Sequence, residues 1–136
     1  MAGFRYLLDT NILSHLIRHP QGQVRRHLER VGEDGLCTSV IVACELRYGA
    51  LRSGSKRISE RVQTLLQIIP VLALEPEVDE HYADIRTHLE HQGTPIGHND
   101  LLIAAQARHL ELVMVTHNVR EFQRVPRLPV ENWIDE

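Results

Sequence analysis

The sequence has few of the features that mark secreted or membrane proteins. Its 136 residues include only two cysteines, Cys37 and Cys44, which lack the CxxC spacing of metal and redox motifs. Because both lie among apolar residues, we expect two reduced thiols in the core. The first residues are too short an apolar run for a signal peptide, and no apolar segment approaches the roughly 20 residues that span a bilayer. The sequence therefore predicts a cytoplasmic protein without a membrane segment.

Low-complexity stretches and blocks of like charge are also missing. With 43% hydrophobic and 24% charged residues, the composition is that of an ordinary globular protein. A chain of this length can bury most of its surface in one core. We therefore predict a single domain over residues 1–136.

The pattern of apolar residues predicts an α/β fold. Short apolar runs at residues 4–8, 36–38, 71–74 and 112–115 predict four strands. Between them, helical spacing occurs at residues 12–17, 24–31, 40–51, 58–69, 78–89 and 101–110. Such alternation is typical of a mainly parallel sheet covered by helices. No glycine-rich loop follows the first strand, which disfavours a dinucleotide-binding domain.

Two aspartates stand where the predicted strands and helices meet. Asp9 directly follows the first strand, at the edge where open parallel sheets carry their working sites. Asp100 lies in the first turn of an apolar helix, whose N-terminus stabilises a negative charge. Either aspartate could instead be only a helix cap, although Asn99 already supplies a cap beside Asp100.

Two glutamates complete this group of acids. Glu45 interrupts an otherwise apolar helix, where burial of an unpaired carboxylate is costly. Arg47 cannot meet it on the same helix face, whereas Arg52 leaves a structural salt bridge open. Glu121 follows the fourth strand, in a segment that a simple turn would also explain.

The four acids together predict a metal site. Three of them reach one edge of the sheet, and the helix of Glu45 can pack beside it. Crowded carboxylates repel one another, and their oxygens favour hard cations, so we expect Mg²⁺, or else Mn²⁺. Two such ions can clamp a phosphoryl displacement.

Four ordered segments make the chain resemble the PIN-domain ribonuclease toxins of the VapC type. They are LLDTN at residues 7–11, ELRYG at 45–49, PIGHNDLLIA at 95–104 and VTHNVREF at 115–122. The resemblance covers nearly the whole chain. It implies a PIN domain, a Rossmann-like three-layer sandwich, that hydrolyses RNA, often tRNA, with a metal-activated water.

The resemblance also implies a role for each acid. Asp9 and Asp100 would be direct metal ligands, Glu45 a ligand or a water-mediated contact, and Glu121 the fourth acid. Three further residues would support them: Asn11, Thr116 and Asn118. Many PIN domains have an aspartate in the segment that here contains Thr116 and Asn118. The fourth place therefore stays open, and a weakened second metal site is expected.

The resemblance further implies partners, namely an RNA substrate, a cognate VapB-type antitoxin whose tail covers the acidic pocket, and a second copy in a homodimer. The net charge of −3 argues against a general polyanion binder, but the basic residues are nearly all arginines, which suit phosphate. Contacts with RNA or with the antitoxin are expected at these arginines: Arg18, Arg25, Arg26, Arg120 and Arg124.

Two other interpretations use the same residues. In a phosphotransfer enzyme or receiver domain, Asp9 would be the nucleophile. A phosphatase of the haloacid dehalogenase type needs a second aspartate where this chain has Asn11, and a receiver domain needs a late lysine that Lys56 does not supply. A catalytically inactive PIN-like module that binds RNA or a partner stays open, because the segment around His117 lacks the usual acid.

Overall fold

The fold is built on a parallel sheet of five strands. The structure is a computed structural model that describes residues 3–134, so the four terminal residues of the predicted domain, 1–136, lie outside this range. The strands are β1 (Tyr6–Leu8), β2 (Leu36–Ser39), β3 (Val71–Leu72), β4 (Val113–Val115) and β5 (Val130–Glu131). Their order in the sheet is β3-β2-β1-β4-β5, and every neighbouring pair is parallel. The predicted fold class is confirmed.

Seven helices within residues 3–134 flank this sheet. They are α1 (Thr10–Arg18), α2 (Gln23–Val31), α3 (Val40–Ser53), α4 (Lys56–Ile68), α5 (Val78–His91), α6 (His98–His109) and α7 (Val119–Phe122). In the part of the chain that the structure describes, none of them combines the length and apolar character needed to cross a membrane.

The central position of β1 sets the location of the site. All three of its residues are buried, and its last residue, Leu8, is paired with Val115 of β4. The next residue on each strand therefore lies at the same carboxyl edge, and the backbone N–H of Asp9 donates to the Val115 carbonyl at 2.9 Å. Asp9 and Thr116 become neighbours in this way.

Two short elements were not predicted from the sequence. Strand β5 has two residues, one of them the exposed Glu131, so it has no apolar run to reveal it. Helix α7 has four residues, fewer than the spacing of a helical face needs. Strand β3 ends at Leu72, two residues earlier than expected.

The cysteine prediction was half wrong. Cys37 is fully buried in β2, and burial raises the pKa of its thiol to about 12. Cys44 is exposed, because α3 turns Val42 and Ala43 toward the core and the next residue away from it. An apolar run on a helix with one solvent-facing side does not place all of its members inside.

Candidate active site

Asp9 is fixed at the carboxyl end of β1 by two neutral donors. The backbone N–H of Thr10 donates to its Oδ1 at 2.8 Å, and the hydroxyl of Thr116 donates to its Oδ2 at 2.7 Å. The residue is only 3% exposed. Burial raises the pKa of the Asp9 carboxyl, and the two hydrogen bonds partly oppose this effect. Asp9 also caps α1, which is the structural role that its sequence position left open.

Glu45 lies beside Asp9 because α3 packs against α1 and α6. The hydroxyl of Thr10 donates to its Oε1, and the side-chain amide of Asn99 donates to its Oε2 at 3.2 Å. Within residues 3–134, no ion pair involves Glu45, so the salt bridge considered for Arg52 does not form. The carboxylate is held by a hydroxyl and an amide, both of them uncharged.

Asp100 and Glu121 form the other half of the site. Burial first, and then the charges of Asp9 and Glu121, raise the pKa of Asp100 to about 7. A hydrogen bond with Glu121 and the charge of Glu45 act in the same direction. The four predicted acids are thus close enough to repel one another.

The cap predicted at Asn99 was wrong. Helix α6 begins at His98 and its N-cap is Gly97, which makes no side-chain cap hydrogen bond. Asn99 therefore lies inside the first turn, where its amide is free to reach Glu45 on α3. Asp100 is in the same turn, as expected.

The three predicted supporting residues lie at this edge but differ in what they touch. Thr116 is fully buried, donates to Asp9 and accepts from the backbone N–H of Asn118 at 3.0 Å. Asn11 accepts from the backbone N–H of His117 at 3.0 Å and so ties α1 to the loop after β4. Asn118 contributes through its backbone and shows no side-chain cap hydrogen bond on α7.

Thr10 and Asn99 are contacts that sequence reasoning missed. Thr10 belongs to the LLDTN segment and Asn99 directly precedes Asp100. Each therefore lies next to a predicted site residue in the sequence. Their bonds to Glu45 span 35 and 54 residues along the chain. No local pattern reveals contacts of that range.

The chemistry of the four acids fits a hard cation, but their side chains are not arranged as a complete metal-binding site. Four carboxylates supply the oxygen donors that Mg²⁺ and Mn²⁺ prefer. Among residues 3–134, no ion pair neutralises any of the four. However, no group of three or more potential ligands in this range has side chains positioned to hold a metal ion.

Comparisons with known proteins agree over nearly the whole chain. The PIN domain family model matches residues 6–128. Ribonuclease VapC2 of Haemophilus influenzae is 38% identical over 132 residues, which are 96% of this chain and 98% of that protein. The tRNA(fMet)-specific endonuclease VapC of Salmonella typhimurium is 33% identical over 130 residues, 95% of this chain and 98% of that protein.

Chains in solved VapBC structures are also similar to this chain. The crystal structure of VapBC2 from Rickettsia felis, bound to a DNA fragment from its promoter, contains a chain with a TM-score of 0.87 and 33% identity. That match covers 96% of this chain and 100% of the other. A chain of the DNA-bound VapBC from Salmonella typhimurium has a TM-score of 0.85 and 31% identity, with 96% and 99% covered.

Proposed function

We propose that this chain, which belongs to the PIN-domain family and to its VapC group, is a Mg²⁺-dependent endoribonuclease and the toxin of a toxin–antitoxin pair. The observation that carries the proposal is the meeting of four acids from four separate segments at the carboxyl edge of the sheet. Burial, and then the charges of the neighbouring acids, raise the pKa of Asp100. A bound cation would relieve the repulsion between the carboxylates and could hold the phosphate of a substrate.

The four acids would have different roles in binding the cation. When bound, Mg²⁺ or Mn²⁺ would polarise the scissile phosphate and activate a water for attack. Asp9 and Asp100 would hold the cation directly, and Glu45 directly or through a water. Asp100 would first have to lose its proton. Thr116 keeps the Asp9 carboxylate in place during these changes.

Glu121 is our proposal for the fourth acid. Its effect on Asp100 supports the assignment, because Glu121 is one of the acids that raise the pKa of that carboxyl. The segment between β4 and α7 has a threonine and an amide instead of an aspartate, so Glu121 reaches the site from the next element. If Glu121→Gln cleaves RNA as fast as the unchanged protein, Glu121 has no place in the mechanism.

We propose that the substrate is RNA, with tRNA the first choice, and that the protein acts in the cytoplasm, where tRNA is found. A relative named as a tRNA(fMet)-specific endonuclease supports this choice. Arg120 is exposed on α7 directly before Glu121, and Arg124 follows α7, so both are candidates for phosphate contacts. Cleavage that slows as salt rises would agree with such contacts.

The direct test is incubation of total tRNA with purified protein and Mg²⁺ or Mn²⁺. We expect defined cleavage products from the unchanged protein, and none from Asp100→Asn or in the presence of EDTA. Products that persist in EDTA would exclude the metal mechanism. No cleavage of any RNA by the antitoxin-free protein would favour the inactive binding module, for which RNA binding without products is the expected result.

We also propose a cognate VapB-type antitoxin as partner, because the solved relatives include VapBC complexes. The tail of this antitoxin would cover the acidic pocket, and an apolar groove of about 710 Å³ at the amino ends of the strands, away from the acids, offers a second contact. Phe4, Leu16, Leu28 and Ile68 are among its lining residues. Ile68 is 63% exposed, so Ile68→Asp should fold normally and reduce co-purification of a co-expressed antitoxin.

We also propose that two copies of this chain form a homodimer through α3. Tyr48 and Leu51 on this helix are 64% and 77% exposed, which is unusual for large apolar side chains. Covering them with the same face of a second copy would remove them from water. Light scattering should show a dimer for the unchanged protein and a monomer for Leu51→Glu. A dimer in both would exclude this face.

A further inference from the structure

Thr10 joins two of the acids through one residue. Its backbone N–H donates to Oδ1 of Asp9 at 2.8 Å, and its side-chain hydroxyl donates to Oε1 of Glu45. Since Thr10 is the first residue of α1, both donors are fixed by the start of that helix. The relative position of the two carboxylates is therefore set by a single rigid residue.

Asn99 holds the same glutamate from the opposite side. Its amide donates to Oε2 of Glu45 at 3.2 Å, so each oxygen of this carboxylate has one donor. The donors come from α1 and α6, while Glu45 itself comes from α3. Three helices thus define the orientation of the side chain, which would otherwise rotate about its three side-chain bonds.

Both donors are neutral, and this determines what they can do. An arginine or a lysine would neutralise Glu45 and compete with a cation for it. A hydroxyl and an amide fix the carboxylate but leave its charge in place. Each carboxylate oxygen also keeps a second lone-pair site for a metal ion or a metal-bound water.

From these contacts we infer that Thr10 and Asn99 are positioning residues that hold Glu45 in register with Asp9 for cation binding. The inference rests on the proposed function, because it assigns a task to residues around the same site. Both residues would act only through the carboxylates that they hold. The task differs from that of Thr116, which fixes Asp9 alone.

Mn²⁺ binding to the full-length, metal-free protein, measured by calorimetry without RNA, tests the inference. Thr10→Val keeps the shape and the backbone N–H but removes the hydroxyl, and Asn99→Leu removes the amide. We expect Thr10→Val to weaken Mn²⁺ binding about 10- to 100-fold, the usual effect of losing an outer partner of a ligand. Asn99 is exposed, so we expect a smaller loss, about 3- to 10-fold. Thr10→Ser keeps a hydroxyl and should stay within about threefold of the unchanged protein.

Matched variants separate positioning from a general effect on folding. Thr64→Val on α4 makes the same chemical change at an exposed site and should leave Mn²⁺ binding unchanged. If Thr10 acts through Glu45, adding Thr10→Val to Glu45→Gln should weaken binding no further. Should Thr10→Val not fold, Asn99→Leu carries the same test from a solvent-facing position.

The outcomes distinguish this inference from the nuclease proposal. Full Mn²⁺ affinity in both Thr10→Val and Asn99→Leu would overturn the inference. Independent losses in the Thr10→Val, Glu45→Gln pair would also overturn it. Full affinity in Glu45→Gln would remove Glu45 from the metal site and the inference with it. In each of these cases, tRNA cleavage that is abolished by Asp100→Asn would still support the nuclease.

Discussion

The pKa of the Asp100 carboxyl depends strongly on the residues around it. Its ordinary pKa is 3.8, and burial together with the neighbouring acids raises this pKa to about 7 in the folded protein. A group whose pKa rises on folding stabilises the fold while it is protonated. That contribution is complete below about pH 4 and is lost as the pH rises through about 7.

The metal-free protein should therefore become less stable between about pH 4 and pH 7, as far as Asp100 is concerned. Thermal unfolding in EDTA across this range measures the effect. In Asp100→Asn, which cannot ionise, the decline of Tm with pH should be clearly smaller. Asp79→Asn on α5 changes an exposed carboxyl for comparison and should follow the unchanged protein. Equal slopes in all three proteins would mean that Asp100 is not protonated in the fold.

At the scale of elements, Arg108 joins α5, α6 and the segment before β5. Its side chain is 5% exposed and donates to Asp84 at 2.8 Å, to Nδ1 of His81 at 2.9 Å and to the carbonyl of Pro126 at 3.3 Å. It lies eight residues after Asp100 on α6, about 12 Å along the helix axis. We therefore assign it to stability and not to the site.

Arg108→Met should lower the free energy of unfolding by about 1–3 kcal/mol, because its partners lose charged hydrogen bonds. Cleavage of tRNA at a temperature where the variant is folded should not change. Arg86→Met is the matched control, since its ion pair with Glu90 is exposed to solvent and should contribute much less to stability. Equal losses of stability in urea unfolding would contradict a special role for Arg108.

Elements that lie in an apolar run or are long enough to show a period were predictable, whereas β5 and α7 were not. Helices α3 and α5 have fourteen residues each, long enough for an apolar face to repeat. The two residues of β5 form a strand because Met114 of β4 is paired with Val130. That pairing is a property of the assembled sheet. Chain order alone contains no sign of it.

At the scale of the whole molecule, Asp9 and Glu121 could be proposed because a parallel sheet brings strand ends to one edge, and Glu45 and Asp100 because they are acids on apolar helices. The position of Asp9 after β1 already implied where the site would be. The roles of Thr10 and Asn99 could not be proposed, since they depend on how α1, α3 and α6 pack. Local sequence identifies the charged groups, whereas tertiary packing decides which neutral groups hold them.

A site of this kind should couple cation binding to the stability of the whole molecule. A ligand that binds only the folded state stabilises it by about 2.7 kcal/mol at a concentration 100 times its Kd. Mn²⁺ should therefore raise the Tm of the unchanged protein, and raise it more at pH 8 than at pH 5, where Asp100 retains its proton. The double variant Asp9→Asn, Asp100→Asn should show almost no rise. If its Tm rises as much as that of the unchanged protein, the cation binds elsewhere, and the acids at the sheet edge need another explanation.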